Sequence, residues 1–384
     1  MGLSDLILNA VDVLPEGGLE AKLGLKRPLR VKLGIDVTSP DIHIGRAIPL
    51  QRMRAFQDAG HLGILIIGDY TTRIGDPSGR SAERPVLSDE EIEANAATYL
   101  EQAMVVLDPA ATEVRRNGEW LSRLSYAEVV RLARTITVAR VLERDDFARR
   151  MAAKQPISVS ELLYPLMQAY DSVAVEADVE LGGTDQLYNL LAGREVMSHY
   201  GLEPQIALTT PLLLSWDGEK ISSSLGNNIP LTATPDEMFG RTMRIPDSLS
   251  AQWWQLVAER EPAAGEPMES KLALARLIVS RSHGEAAAQA AEGRFTRVVR
   301  QGEAPEELPD VELPNGDAVH LPALIVASFG VRSTSEARRL VEQGGVKLDG
   351  EVVRELDLPR VTLAGKVLQV GKRRFGRLVE PPLP

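Results

Sequence analysis

A doubly wound α/β fold on a parallel sheet, continued by helices and closed by a small basic α+β module, is the architecture this 384-residue sequence predicts. Three observations carry the prediction. Short apolar runs alternate with long helical patterns in the first part of the chain, strand signals fade beyond Thr234-Pro235-Asp236, and the charge balance reverses near the C-terminus.

Val31 to Ile35 is a short apolar run ending in Gly34-Ile35-Asp36. A Pro-containing turn follows, then apolar residues at roughly helical spacing from Ile44 to Ala59, with Gly60 as the stop. Ile64 to Ile67, bounded by Gly63 and Gly68, reads as a strand buried on both faces, which completes one βαβ unit. Helical patterns fill 88–107 and 125–151, and Val173 to Leu181 is expected as another strand before a Gly182-Gly183 turn. Met268 to Ser282 and Glu285 to Arg300 have helical composition. Residues 302–320 combine three prolines with many acidic residues and no Lys or Arg, the pattern of an extended acidic linker. The expected segments are 1–232, 233–301, 302–320 and 321–384.

With 44% hydrophobic and 25% charged residues the composition is that of an ordinary globular protein, and the longest aliphatic run, Ile64 to Ile67, is too short to span a bilayer. The chain contains no Cys, which excludes disulfides and thiolate metal sites, and its five scattered His argue against a structural zinc, so no protein-held metal is expected. Met1-Gly2-Leu3-Ser4-Asp5-Leu6 matches neither a myristoylation nor a secretory pattern; a cytoplasmic location is expected. A net charge of −11 at first opposes a nucleic-acid partner. From Leu321 onward, however, eleven Lys or Arg face seven Asp or Glu, so a basic module ends an acidic body.

Five segments could carry chemistry. Gly34-Ile35-Asp36-Val37-Thr38-Ser39-Pro40-Asp41-Ile42-His43-Ile44-Gly45-Arg46 lies where the first strand feeds its helix, so its N–H groups can face phosphate; His43 alone would be an ordinary residue at a helix start. Lys220-Ile221-Ser222-Ser223-Ser224 alone reads as a polar surface loop. Gly75-Asp76-Pro77-Ser78-Gly79-Arg80, followed by Arg84, is a turn whose two arginines suit a polyphosphate. Tyr164, Gln168 and Asp171, spaced by four and three, share one helical face, as would a solvated polar stripe. In Gly182-Gly183-Thr184-Asp185-Gln186, two glycines permit close backbone approach to a ligand.

The first two segments resemble the two signatures of class I aminoacyl-tRNA synthetases, usually written HIGH and KMSKS. All five in this order resemble the tyrosyl-tRNA synthetase family over essentially the whole chain. Gln168-Ala169-Tyr170-Asp171 and Gly183-Thr184-Asp185-Gln186 match the tyrosyl rather than the tryptophanyl side. Ser335 to Gly350 resembles the S4-like RNA-binding module with which bacterial tyrosyl enzymes end.

The resemblance implies a Rossmann-like catalytic domain, a helical anticodon-arm domain and an S4-like domain. It also implies activation of L-tyrosine with ATP and Mg²⁺, transfer to tRNA(Tyr), and a homodimer. By residue-wise matching, His43 contacts the phosphates, while Lys220, Arg80 and Arg84 neutralise the leaving pyrophosphate. Gly45 accommodates adenine. Gly34, Asp36 and Thr38 line the ATP side, Gly183 and Asp185 face the adenylate, and Ser222, Ser223 and Ser224 belong to the signature loop. Asp76, Tyr164 and Gln168 hold the tyrosine ammonium, Gln186 lies beside them, and Asp171 accepts from the phenol. Arg338, Arg339, Lys347, Lys372, Arg373 and Arg374 meet the tRNA backbone.

Three positions depart from the pattern. Arg46 replaces the last His of the first signature, Ser223 replaces a Lys of the second, and Lys32 stands where some branches carry a Tyr near the phenol. Arg46 is read as partly replacing the missing loop cation. The two altered signatures also leave open a repurposed paralogue, an RNA-binding protein or an enzyme adenylating a different acceptor.

Overall fold

The computed structural model describes residues 2–78, 87–223, 225–262, 265–301, 308–371 and 374–381. They form two compact units, Met1–Thr234 with Arg241–Leu274, and Pro235–Gly240 with Ala275–Pro384.

The first unit is built on six strands: β1 (Asp12–Leu14), β2 (Arg30–Ile35), β3 (Leu62–Ile67), β4 (Thr112–Arg116), β5 (Val179–Gly183) and β6 (Ile206–Thr210). Their order is β1-β6-β5-β2-β3-β4, parallel throughout except for β1, which pairs antiparallel with β6 at one edge. Because side chains alternate along a strand, Val31, Leu33, Leu65 and Ile67 enter the core with the helices Ile44–Asp58 and Asp89–Val106. Ile64 and Ile66 join a separate cluster with Val175, at the end of the helix Val159–Ala174. That helix packs with Leu187–His199 through Leu166, Ala169, Ala192 and Val196. Helices on both faces make the sheet doubly wound, and the winding reverses between β2 and β5.

Two sequence expectations fail within this unit. The pattern over 125–151 is three helices, Tyr126–Ala133, Val138–Leu142 and Asp145–Ala152, because the backbone turns extended at Thr137, which N-caps the second helix, and again at Arg144 before the third. Val173 and Ala174 finish a helix rather than start a strand. The chain reverses through Glu176 at φ 46° before β5 begins at Val179.

The second unit includes the helices Glu285–Phe295, Leu321–Ser328 and Thr334–Glu342 and seven strands: β7 (Asp310–Glu312), β8 (Ala318–His320), β9 (Val346–Leu348), β10 (Glu351–Val352), β11 (Asp357–Pro359), β12 (Val367–Val370) and β13 (Arg374–Val379). Five of them form a sheet in the order β10-β9-β12-β13-β7, and β8 pairs with β11. Part of the stretch read as linker is therefore built into the fold. Val311, Leu313 and Val319 are buried with the module's core, an alternation too short to show through the acidic residues around it. Residues 302–307 lie outside the described set.

Where β2 meets β5, Lys32 stands opposite Glu180, and the two form an ion pair of 2.8 Å with no solvent exposure of either residue. Lys32 Nζ also donates to the Gln168 carbonyl (2.9 Å) and Ser172 Oγ (2.7 Å), while Glu180 accepts from Gln168 Nε2 (3.1 Å) and Gln205 Nε2. Lys32→Met, which strands the carboxylate, should lower stability in urea denaturation by about 3–5 kcal/mol. Lys32→Met with Glu180→Leu should recover most of that loss.

Candidate active site

A cavity of about 590 Å³ opens at the C-terminal ends of β2, β3 and β5, where the winding reverses. Asp171, on the Val159–Ala174 helix, is 3% exposed and accepts from Trp120 Nε1 (2.8 Å) and Asn117 Nδ2 (3.3 Å). Burial pushes its carboxyl up to about 7, against the Lys32 charge and those two donors. Asp36, just past β2, accepts from Thr71 Oγ1 (2.8 Å), the Asp76 N–H (3.1 Å) and the Tyr164 hydroxyl (3.0 Å), and burial raises it to about 6. The same burial, with the Asp36 and Asp76 charges, holds Tyr164 well above the usual phenol range, so it stays a donor. Gly68 makes this closeness possible: a Cβ there would stand 2.5 Å from Asp36 Oδ1 and 2.4 Å from Thr71 Oγ1.

Gln168 turns its Nε2 to Glu180, which leaves its amide oxygen as the free acceptor at the cavity wall. Asp76 receives the Ser78 N–H (2.9 Å) and Gln186 Nε2 (2.6 Å), one on each carboxylate oxygen.

At the opposite end, His43 caps the Ile44–Asp58 helix, its Nδ1 accepting from the Arg46 N–H at 3.3 Å. Burial, helped by the Arg46 and Lys220 charges, pulls the imidazole down to about 3. The ring is therefore neutral, and with Nδ1 occupied as an acceptor its proton sits on Nε2, a donor for an anion at a helix N-terminus. The Arg46 guanidinium reaches Ser39 Oγ at 3.4 Å, and Thr38 lines the same wall. Lys220 is ion-paired with Asp185. Gly45 lines the cavity beside the second signature segment, where a Cβ would lie 2.4 Å from Ile221 Cγ2.

That segment is tied down by Asn227, whose Oδ1 accepts from the Ser222 N–H (2.8 Å) and whose Nδ2 donates to Asp217 Oδ2 (2.9 Å). Trp253 Nε1 donates to the Leu214 carbonyl (2.9 Å), and Arg244 stacks on Trp216 at 4.2 Å, bracing the same loop. Ser223 lines the cavity with its hydroxyl buried and unpartnered among the described residues.

The fold thus brings together at one cavity Gly34, Asp36, Thr38, His43, Gly45, Arg46, Asp76, Tyr164, Gln168, Asp171, Gly183, Asp185, Gln186, Lys220, Ser222 and Ser223. Arg80, Arg84 and Ser224 lie outside the described residues, as do Lys372 and Arg373. Arg338 and Arg339 are exposed on the Thr334–Glu342 helix, Lys347 is on β9 and Arg374 opens β13. Two of these cations have internal partners: Arg338 pairs with Glu342 (2.9 Å), and Arg374 donates to the Phe329 carbonyl (3.0 Å). Asn117, Trp120 and Thr71 also serve the site without belonging to any of the five segments. Each is a single polar or aromatic side chain just past a strand end, with no spacing that marks it.

The profile of class I tRNA synthetases (W and Y) matches residues 25–300, and that of the S4 domain matches 321–358. Fold and cavity define a class I tRNA synthetase carrying a C-terminal S4 domain. The tyrosine–tRNA ligase of Moorella thermoacetica is 49% identical over 96% of this chain and 94% of its own length, and that of Thermotoga maritima 47% identical over 96% and 95%. The chain belongs to the tyrosine–tRNA ligase family. The solved Archaeoglobus fulgidus tyrosyl-tRNA synthetase complexed with L-tyrosine shares the fold at a TM-score of 0.61 and 23% identity, over 76% of this chain and 98% of that one.

The raised Asp171 value has a consequence for stability. Its carboxyl ionises near 4 when unfolded and near 7 when folded, so the ionised form opposes folding fully above about pH 7 and not at all below about pH 4. Asp171→Asn should therefore be more stable than the parent at pH 8, by roughly 1–3 kcal/mol in urea denaturation, and should lose that advantage as the pH falls toward 4.

Proposed function

We propose that this protein is a tyrosine–tRNA ligase that joins the carboxylate of L-tyrosine to the α-phosphate of ATP, releases pyrophosphate, and transfers the tyrosyl group to the terminal adenosine of tRNA(Tyr). The observation that carries the proposal is the division of one cavity into two ends. One end holds Asp76, Tyr164, Gln168 and Asp171; the other holds His43, Arg46 and Lys220. The relatives named above carry this activity in their names, and nothing in the cavity favours the repurposed paralogue.

In this reading Asp171 accepts the phenol hydroxyl, held in place by Trp120 and Asn117, while Asp76, the Gln168 oxygen and Tyr164 surround the ammonium. Phenylalanine would leave the buried Asp171 without its partner, the kind of mismatch that a binding site rejects strongly. The substrate carboxylate is already a nucleophile at neutral pH, so no general base is needed and the protein contributes positioning and charge stabilisation. His43 donates from Nε2 to the phosphates. Lys220 leaves Asp185 for the departing pyrophosphate, and Asp185 turns to the adenylate ribose. Arg80, Arg84, Ser222 and Ser224 complete the phosphate side, and Arg46 supplies charge where Ser223 lacks it.

No group of three or more His, Cys, Asp or Glu side chains able to hold a metal occurs among the described residues. The donor set does not fit a protein-held Mg²⁺. The ion would arrive on the ATP phosphates, and no step above is routed through it.

Transfer uses the basic C-terminal module, with Arg338, Arg339, Lys347, Lys372, Arg373 and Arg374 toward the tRNA backbone. A homodimer is proposed as the working form, supported by apolar side chains left in solvent on the helices between β4 and β5, among them Tyr126 (84% exposed) and Val159 (73%). No described helix is long and apolar enough to cross a membrane, and the proposed setting is the cytoplasm.

Ending the chain at Gln301 removes the C-terminal module, including β7. Tyrosine-dependent pyrophosphate exchange should survive in that variant, while charging of tRNA(Tyr) falls by about 100-fold or more as phosphate contacts are lost. Absence of exchange in the full chain would sink the ligase assignment, and full charging by the short form would remove the module from tRNA binding. Sedimentation equilibrium should give a dimer for the full chain, and Tyr126→Glu with Val159→Glu should shift it to monomer.

A further inference from the structure

The ammonium end of the cavity is governed by a residue that does not line it. Arg144 stands just before the Asp145–Ala152 helix and is 7% exposed. Its Nε and Nη2 donate to Asp146 at 3.1 and 3.0 Å, and the rings of Phe147 and Tyr188 lie 5.0 and 5.2 Å from its Cζ. Two further bonds leave this cluster: Nη1 to Asn189 Oδ1 (2.9 Å) and Nη2 to Ser78 Oγ (2.8 Å).

Both lead to Asp76. Ser78 donates its N–H to Asp76 Oδ1 at 2.9 Å. Asn189, fully buried, donates Nδ2 to Gln186 Oε1 at 2.9 Å, and Gln186 donates Nε2 to Asp76 Oδ2 at 2.6 Å. Arg144, Ser78, Asp76, Gln186 and Asn189 thus close a ring around the cavity's ammonium end.

The direction of the bonds matters more than their number. A guanidinium only donates, so Asn189 must turn its oxygen to Arg144 and its amide nitrogen to Gln186. Gln186 must then turn its oxygen to Asn189 and its nitrogen to Asp76. One permanent charge therefore sets the polarity of two amides in sequence, and Asp76 is left as a pure acceptor with free lone pairs toward the cavity. Were the amides reversed, the Gln186 oxygen would face the Asp76 carboxylate, a repulsive contact.

We infer that Arg144 is a positioning residue for the amino-acid substrate: its guanidinium sets the polarity of the Asn189–Gln186 amide relay and so holds Asp76 ready for the substrate's ammonium group. The inference rests on the reading of Asp76 as the ammonium site. Arg144 itself touches no substrate. The Arg144–Asp146 pair alone requires neither amide, so a purely structural role for Arg144 predicts no link between Asn189 and the substrate's amino group.

The test uses two ligands that differ in that group, L-tyrosine and 3-(4-hydroxyphenyl)propionate, with the full chain in calorimetric titration. Asn189→Asp keeps side-chain size and the acceptor for Arg144 but removes the donor to Gln186. Its affinity for L-tyrosine should fall by about tenfold or more, as expected when a buried partner to a charged group is lost. The propionate should bind as it does to the parent, and KM for ATP should not move. Arg144→Gln, whose amide accepts as well as donates and so no longer fixes which way Asn189 turns, should show the same selective loss, and it carries the comparison alone if Asn189→Asp does not fold. Equal weakening of both ligands, or no weakening of either, would overturn the relay. Asp76→Asn is the reference: if it spares the preference for L-tyrosine, the ammonium reading itself fails, whereas loss of preference in Asp76→Asn with none in the relay variants discards the relay alone.

Discussion

Burying an ammonium and a carboxylate between two parallel strands obliges the neighbouring helix to complete their hydrogen bonds, and at Lys32 and Glu180 that obligation reaches the substrate cavity. The desolvation of such a pair is offset only when every remaining donor and acceptor finds a partner. Lys32 takes the Gln168 carbonyl and Ser172 hydroxyl, and Glu180 takes the Gln168 amide, so the Val159–Ala174 helix can hold one rotation about its axis. Tyr164 and Asp171 share that helix and are set with it. A one-residue slip of β5 would carry Glu180 to the opposite face of the sheet and leave Lys32 charged and alone. Strand register and substrate-facing geometry are in this sense one constraint.

The charges around the cavity follow a division of labour. Asp36, Asp76, Asp171 and Asp185 line it, against Arg46 and Lys220 among the described residues. An ammonium is welcome there, while a polyphosphate would be repelled except beside the helix N-terminus capped by neutral His43. Raised values at Asp36 and Asp171 show that burial, the larger effect, outweighs the donors that surround these carboxyls. Sites held in this way trade stability for readiness to bind.

Much of this was legible beforehand, and the reasons differ by element. The βαβ unit stood out because β2 and β3 are short apolar runs closed by Gly34 and Gly68, and the helix between them has its own stop at Gly60. Segments that follow β2, β3 and β5 converge where the sheet reverses its winding, whereas Tyr164, Gln168 and Asp171 reach the same cavity from a helix. What sequence concealed is of two kinds. Extended residues at Thr137 and Arg144 cut one long periodic stretch into three helices, because a break of one residue is averaged away by periodicity. Long-range partners left no trace at all: nothing near Lys32 announces Glu180, and nothing near Asp171 announces Trp120 or Asn117. Lys32, where the family resemblance has a Tyr in some branches, gives its hydrogen bonds to the helix and a buried glutamate and reaches Asp171 only through its charge.

The C-terminal sheet carries a lesson about units of inheritance. The stretch recognisable as an S4 domain, 321–358, holds two helices but only β9 and β10 of the five-stranded sheet. β12 and β13 follow it, and β7, which lies alongside β13, precedes it. A fragment cut at the recognisable borders would present β9 with a naked edge and uncover Val341 and Val346, now without solvent exposure. Any transplantation of this module into another protein must therefore carry its acidic approach segment as well, and a gene rearrangement that respected the motif alone would deliver a piece unable to close its own core.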